Sequence, residues 1–162
     1  QGQTLTQMTR QITSRLGIGP TILPMSDQPA PTLVETDEGI LPFQTWFVQK
    51  RWQPVVKRVI LPEDVRATRA VIQAIDEADL FVLAPSNPYV SIDPILNVYP
   101  VRESLSDAAA AAIAVSPIIA GDAVKGPAAK MMAEMGLPVT PETVVLFYED
   151  LIDAFVFDER DR

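Results

Sequence analysis

The chain contains no cysteine and no histidine among its 162 residues. Without cysteine it has neither disulfides nor thiolate chemistry, which agrees with an expected cytoplasmic location. Without histidine it has no Ser-His-Asp triad, no Cys-His pair and no histidine-ligated zinc. Chemistry within these residues therefore depends on carboxylates, hydroxyls, amides, lysine, arginine or a hard metal ion.

Positive charge is also scarce. The chain has 13 Lys and Arg residues against 21 Asp and Glu residues, which gives a net charge of -8. Binding to nucleic acid is not expected, because phosphate neutralisation needs clustered Lys and Arg. No apolar run is long enough to span a bilayer and no signal-peptide pattern is present, so no membrane partner is expected. The sequence begins with Gln rather than Met, and we expect residues 1–162 to be a single domain or part of one.

The later part of the chain alternates between predicted helices and short apolar strands. This alternation predicts an α/β fold with a parallel sheet flanked by helices. The predicted segments are a helix over 67–77, a strand over 80–83, helical turns over 96–105, a strand over 111–115, a helix over 127–136, a helix beginning at Thr140, and a strand over 154–157.

The earlier part predicts a different organisation. Leu5, Met8, Ile12 and Leu16 recur at helical spacing, and Gly17 is a suitable stop. A short strand is predicted over 21–24. An antiparallel hairpin insert is predicted over 31–61, with strands 32–36 and 40–48 around an Asp-Glu-Gly turn and a further strand over 55–61.

Two loops, Ala84–Ile92 and Ser116–Pro127, each follow a predicted buried strand and lead toward helical sequence. Open parallel sheets bind ligands at the carboxyl ends of their strands. We therefore expect the two loops to lie side by side and to form the ligand site.

The motifs in and near these loops resemble those of one family, the 2-phospho-L-lactate transferases of coenzyme F-420 biosynthesis. The similarity extends over essentially the whole chain. The segments that carry it are Ser86-Asn87-Pro88, Ser91-Ile92, Pro94-Ile95, Ser116 to Ile119, Lys125 to Ala128, Ile22 to Asp27, Phe43-Gln44 and Phe155 to Asp161.

The resemblance implies a Rossmann-like transferase. It would move a 2-phospholactyl or phosphoenolpyruvyl group from a guanosine diphosphate-activated donor to the deazaflavin FO, release GMP and use Mg²⁺. Residues 1–162 would be the middle to late portion of a longer enzyme, with the metal carboxylate upstream, and would be inactive alone. A non-catalytic nucleotide-binding regulator of related fold is the alternative, and a homodimer stays open.

Candidate residues follow from the resemblance and from donor chemistry. Ser and Asn side chains at a strand end can donate to phosphate oxygens, and a lysine can neutralise them. The alternatives are an Asn-Pro turn that bonds its own backbone and a solvated lysine. The predicted phosphate-binding residues are Ser86, Asn87, Pro88, Ser91, Lys125 and Gly126. The predicted substrate cleft contains Met25, Ser26, Asp27, Ser116, Pro117 and Gly121, with Asp27 also a candidate Mg²⁺ ligand.

The aromatic residues of the insert have two interpretations. Trp46, Phe47 and Trp52 could stack on a deazaflavin ring, but core packing or a dimer seam is favoured. Two carboxylates depart from the family pattern: Asp93 stands where glycine is usual, and Asp122 replaces a small or basic residue. Whether they change the substrate stays open, because a carboxylate beside a diphosphate repels it.

Overall fold

A computed structural model describes residues 2–162. Within that range eight strands, β1 to β8, span Leu33–Thr36, Gly39–Pro42, Val56–Ile60, Leu80–Leu83, Ala111–Val115, Ile118–Ile119, Asp122–Ala123 and Ala154–Val156. The helices α1 to α6 span Leu5–Arg15, Arg69–Asp76, Asp93–Leu96, Val101–Asp107, Ala128–Glu134 and Pro141–Tyr148. Two π-helical turns, Thr45–Gln49 and Pro88–Ile92, and a 3₁₀ turn, Glu159–Asp161, complete the regular structure.

The strands form two main sheets of opposite type. Strands β4, β5 and β8 pair in parallel in that order. Strands β2, β1 and β3 form an antiparallel sheet in the region of the predicted insert. The mixed α/β architecture with a parallel sheet and an antiparallel unit is therefore confirmed.

Helix starts follow the capping residues of the sequence. The Thr4 hydroxyl accepts from the Gln7 N–H at 3.3 Å, and the Gln7 side chain accepts from the Thr4 N–H at 3.0 Å, which forms a capping box on α1. Thr68 and Thr140 cap α2 and α6 in a similar way. Gly17, at φ 66°, follows the end of α1 as predicted. The apolar face of α1 is exposed, since Leu5, Met8 and Ile12 are between 46% and 54% accessible, and Leu16, just after the helix, is 69% accessible.

Side chains from both sheets and the late helices share one core, centred on Trp46, Met131, Met132, Val144 and Tyr148. One long-range hydrogen bond to α5 and one bond within the residue 31–61 region hold the antiparallel unit in place. The Val56 N–H donates to the Glu134 carboxylate on α5 at 2.8 Å. The indole N–H of Trp46 donates to the Pro54 carbonyl at 3.0 Å. The antiparallel unit is thereby fastened to α5.

Two strand predictions are wrong. Residues 21–24 form no strand, since this proline-bounded segment pairs with no neighbour. The strand predicted over 40–48 ends at Pro42, and Thr45–Gln49 turns into a π-helical conformation that buries the Trp46 side chain completely. Burial of the indole outweighs the β-propensity of this aromatic run.

The helices of residues 2–162 are all too short, or too polar, to cross a membrane.

Candidate functional site at the carboxyl ends of the parallel strands

The two predicted loops border one cleft of about 650 Å³. Leu83 at the end of β4 pairs with Ala114 near the end of β5, so the loops begin side by side. This juxtaposition confirms the predicted arrangement. The cleft is lined by Phe43, Phe47, Pro85, Ser86, Asn87, Val90, Ser91, Val115, Ser116, Pro117, Ile119, Val124, Lys125, Gly126, Pro127 and Ala128.

Asn87 shapes the first loop with its own side chain. Its Oδ1 accepts from the Tyr89 N–H at 2.9 Å and from the Val90 N–H at 3.3 Å, which caps the π-helical turn Pro88–Ile92. Its Nδ2 lies 3.4 Å from the sulfur of Met131, a weak acceptor. The capping oxygen thus has a structural role, while the amide nitrogen has only a weak protein partner.

The second loop contains a small hairpin. Ser116 bonds within the loop, since its hydroxyl accepts from the Ile118 N–H at 3.0 Å and donates to the Ile118 carbonyl at 2.9 Å. Strands β6 and β7 pair across Ala120 and Gly121, both at positive φ of 52° and 75°. This is the backbone geometry of a tight hairpin turn. The hairpin leads into the exposed segment 124–126, which borders the cleft.

Three donor side chains in the cleft remain available to a ligand. Within residues 2–162 the hydroxyls of Ser86 and Ser91 make no hydrogen bond, and Lys125 is exposed and joins no ion pair. No carboxylate is among the cleft-lining residues, and Lys125 is their sole charge. In a chain of net charge -8, this cleft is locally suited to an anion.

The structure brings seven of the twelve predicted site residues together in this cleft. They are Ser86, Asn87, Ser91, Ser116, Pro117, Lys125 and Gly126. Pro88 is buried at the start of the π-helical turn, behind the lining. Gly121 lies in the hairpin turn and does not reach the cleft wall. The remaining three residues are elsewhere.

The Met25-Ser26-Asp27 segment does not line the cleft. Ser26 is buried and donates to the Arg66 carbonyl at 2.6 Å. The Asp27 carboxylate accepts from the Thr6 N–H at 2.8 Å, and this bond holds the pKa of that carboxyl below its usual range. Met25 borders a separate apolar cleft of about 430 Å³ beside α2. The segment therefore links the start of α1 to the region of α2.

Burial controls the titration of the groups just behind the first loop. It raises the pKa of the Tyr89 phenol, whose ring meets Phe147 edge-on at 5.3 Å between centroids. It also raises the pKa of the Asp93 carboxyl, against the opposing charge of Arg102. Neither Asp93 nor Asp122 lines the cleft, and Asp122 accepts from the Ala123 N–H at 2.7 Å. The two unusual carboxylates thus lie outside the anion-suited lining.

A family model described as 2-phospho-L-lactate transferase CofD matches residues 1–162. The chain belongs to the CofD family. Among its curated relatives, 2-phospho-L-lactate transferase of Methanosarcina mazei is 40% identical over 99% of this chain, and that of Methanospirillum hungatei is 43% identical over the same share. The chain spans 53% and 54% of those two proteins, about half of their length.

The fold is also similar to solved structures. A member of the UPF0052 family from Bacillus halodurans superposes with a TM-score of 0.61 at 20% identity. The match covers 91% of this chain and 46% of that protein. At this identity the likeness shows the fold alone.

The CofD resemblance implied Mg²⁺, and the described residues do not fit that ion. Mg²⁺ takes oxygen ligands, chiefly carboxylates. Residues 2–162 bring together no group of three or more acidic side chains that could hold a metal. The cleft wall carries no carboxylate, and Asp27 lies outside it. Among residues 2–162 the cleft therefore offers hydroxyl and ammonium donors, and no acidic cluster for Mg²⁺.

The favoured interpretation of the aromatic residues missed part of the site. Trp46 is in the core as predicted, but Phe43 and Phe47 line the cleft. Their i, i+4 spacing was the available signal, because residues so spaced meet on one side of a helical turn. Which side faces the cleft depends on the burial of Trp46, a tertiary contact.

Proposed function

We propose that this CofD-family chain contributes the phosphate-binding cleft of a transferase acting in coenzyme F-420 biosynthesis. The donor is a guanosine diphosphate ester of 2-phospholactate or phosphoenolpyruvate, and the acceptor is the deazaflavin FO. The single observation that carries this proposal is the composition of the cleft wall. The Ser86 and Ser91 hydroxyls and the Lys125 ammonium have no hydrogen-bond or ion-pair partner within residues 2–162, and no carboxylate lines the cleft.

The reaction forms and breaks one phosphorus–oxygen bond. A hydroxyl oxygen of FO bonds to the phosphorus that carries the lactyl group, the bond from that phosphorus to the GMP oxygen breaks, and the hydroxyl proton passes to solvent. Phosphoryl transfer asks the protein chiefly for positioning and charge stabilisation. Hydroxyl and ammonium donors can do both, so the absence of histidine is compatible with the reaction.

Titration calorimetry of the 162-residue chain with GDP at low ionic strength tests the proposal. We expect binding, and a roughly tenfold loss of affinity in Lys125→Met, since hydrogen bonds to charged groups contribute about 1.5–3 kcal/mol. Higher salt should reduce the difference in GDP affinity between the wild type and Lys125→Met, because salt screens the charge of Lys125.

Lys57→Met is the matched control, because Lys57 is an exposed lysine that lies outside the cleft. It should bind GDP as the wild type does. Absence of GDP binding, or equal weakening by both lysine substitutions, would contradict the proposed site.

A second assay adds the guanosine diphosphate-linked phospholactate and FO to the same chain. We expect no turnover, since this chain spans about half the length of its relatives and its cleft carries no carboxylate for a metal. Product formation would mean that residues 1–162 are self-sufficient. Nucleotide binding without turnover, even in a full-length family member carrying these residues, would favour the non-catalytic regulator.

A further inference from the structure

The cleft has an aromatic wall as well as its polar donors. Phe43 and Phe47 stack with their ring centroids 5.3 Å apart and their planes 16° apart. Both rings line the cleft. Phe43 also packs against the core, whereas the Phe47 side chain is 36% accessible. The outer ring of the pair is therefore the one that a ligand can cover.

The position of Phe47 is imposed by its neighbour. The π-helical turn Thr45–Gln49 is closed by the Lys50 N–H donating to the Thr45 carbonyl at 2.9 Å. Trp46 is fully buried, and its indole N–H is fixed on Pro54. With Trp46 anchored inward, the next side chain, that of Phe47, lines the cleft. Such π-helical turns occur frequently at functional sites.

The cleft lining also includes polar and cationic side chains. Ser86 and Ser91 belong to the first loop, and Lys125 belongs to the second. The apolar side chain of Val124, 71% accessible, borders the same space. A ligand that satisfies both groups of lining residues has an anionic part for the donors and a flat apolar part for the aromatic rings.

We infer that the Phe43–Phe47 pair is a stacking site for a planar heteroaromatic ring, with Phe47 as the contacting residue. The inference rests on the proposed function, which supplies two ligands with such a ring, a guanine nucleotide and a deazaflavin. Stacking on an aromatic face is tolerant of ring identity, because every such ring has a π-face. The shared chemistry is the planar ring, and binding measurements distinguish its two sources.

The test compares Phe47→Ala with wild type, using GDP and FO as ring-bearing probes and inorganic pyrophosphate as the ring-free probe. Loss of base–aromatic stacking corresponds to roughly a tenfold or greater loss of affinity. We expect that loss for GDP or for FO, with pyrophosphate binding unchanged. Weakened GDP binding identifies the ring as the base, and weakened FO binding identifies it as the deazaflavin.

Two further variants guard against a merely structural effect. Trp52→Ala is the matched control, since Trp52 is also 36% accessible and belongs to the same unit but lies outside the cleft. It should bind all probes as wild type does. Phe47→Trp keeps an aromatic face and should retain the affinity that alanine loses.

Unchanged GDP and FO binding in Phe47→Ala would overturn the inference. So would equal weakening of pyrophosphate, or equal weakening by Trp52→Ala, because either would indicate general distortion. If the wild type binds neither pyrophosphate nor GDP but binds FO through Phe47, the proposed function fails and the stacking site stands. If it binds none of the probes, both fail.

Discussion

The two loops that form the cleft are held in place by different means. The first, Ala84–Ile92, is held by packing and by a side-chain cap. Pro88 and Tyr89 are buried, and the side-chain oxygen of Asn87 caps the turn. The second, Ser116–Pro127, is anchored at its ends by the buried residues Ser116, Pro117, Ile118 and Pro127. Its tip is set by backbone geometry, with Ala120 and Gly121 at positive φ and Val124 and Lys125 exposed.

The two loops also differ in whether the residues that fix the backbone shape are the same ones that offer contacts to a ligand. In the first loop a single residue is involved in both, since Asn87 caps the turn through its side-chain oxygen and also lines the cleft. In the second loop Gly121 provides the turn and Lys125 provides the charge. Substitutions should therefore have coupled effects in the first loop and separable effects in the second.

The largest contrast is expected from side-chain truncation. Tyr89→Ala removes a buried ring that packs on Phe147 and should lower the free energy of unfolding by about 3 kcal/mol. Val124→Ala removes an exposed side chain and should change it by less than about 0.5 kcal/mol. Urea titration measures both. Similar losses in the two variants would mean that the tip of the second loop is also held by packing.

A smaller effect is expected from two glycines of the second loop. Gly121 and Gly126 have φ of 75° and 78°, and an added methyl group would meet nothing within 4 Å at either position. Gly121→Ala and Gly126→Ala should therefore each cost about 1 kcal/mol of left-handed backbone strain.

Only Gly126 lines the cleft. GDP affinity measured beside stability should fall for Gly126→Ala and stay unchanged for Gly121→Ala. If Gly121→Ala weakens GDP binding as much, the hairpin geometry and the site are coupled, and the separation of roles in this loop is wrong.

A stability effect of similar size is expected at Asn87, and it separates the two roles of one side chain. Asn87→Ala loses the cap and should cost about 1 kcal/mol, or a melting temperature lower by about 2–4 °C. Asn87→Asp keeps an acceptor oxygen for the Tyr89 and Val90 N–H groups and should melt near wild type.

GDP binding should rank the same two variants differently. Asn87→Asp places a negative charge at the proposed anion site and should bind GDP more weakly than Asn87→Ala does. If aspartate destabilises the fold as alanine does, the oxygen cap is not what stabilises the turn. If both variants bind GDP normally, Asn87 is a turn residue alone.

Much of the fold was predictable because its signals are local. The strands Leu80–Leu83 and Ala111–Val115 occur as predicted, and the helix starts at Thr68 and Thr140 follow ordinary capping chemistry. The pairing of the two loops followed from the rule that short crossovers place consecutive parallel strands together. Each of these features depends on neighbouring residues or on a general rule of chain topology.

The predictions that failed involve competition between local preference and distant contacts. Residues 40–48 favour a strand, but burial of Trp46 against the core converts their second half into a π-helical turn. The position of Asp27 likewise depends on a distant contact, since its carboxylate accepts a hydrogen bond from Thr6, 21 positions away along the chain. No short window of sequence contains both partners of such a contact.

The sequence by itself determined the alternation of strands and helices, the two loops, the exclusion of histidine and cysteine chemistry, and the motifs of the CofD family. Only the tertiary structure decided that the Asn87 side-chain oxygen caps the turn, that Phe47 lines the cleft, and that Asp27, Asp93 and Asp122 lie outside it. The physical reason is range. Capping, periodicity and turn chemistry act over a few residues. The lining of a cleft depends instead on which side chains, distant from one another in the sequence, are buried in the core and which remain at the surface.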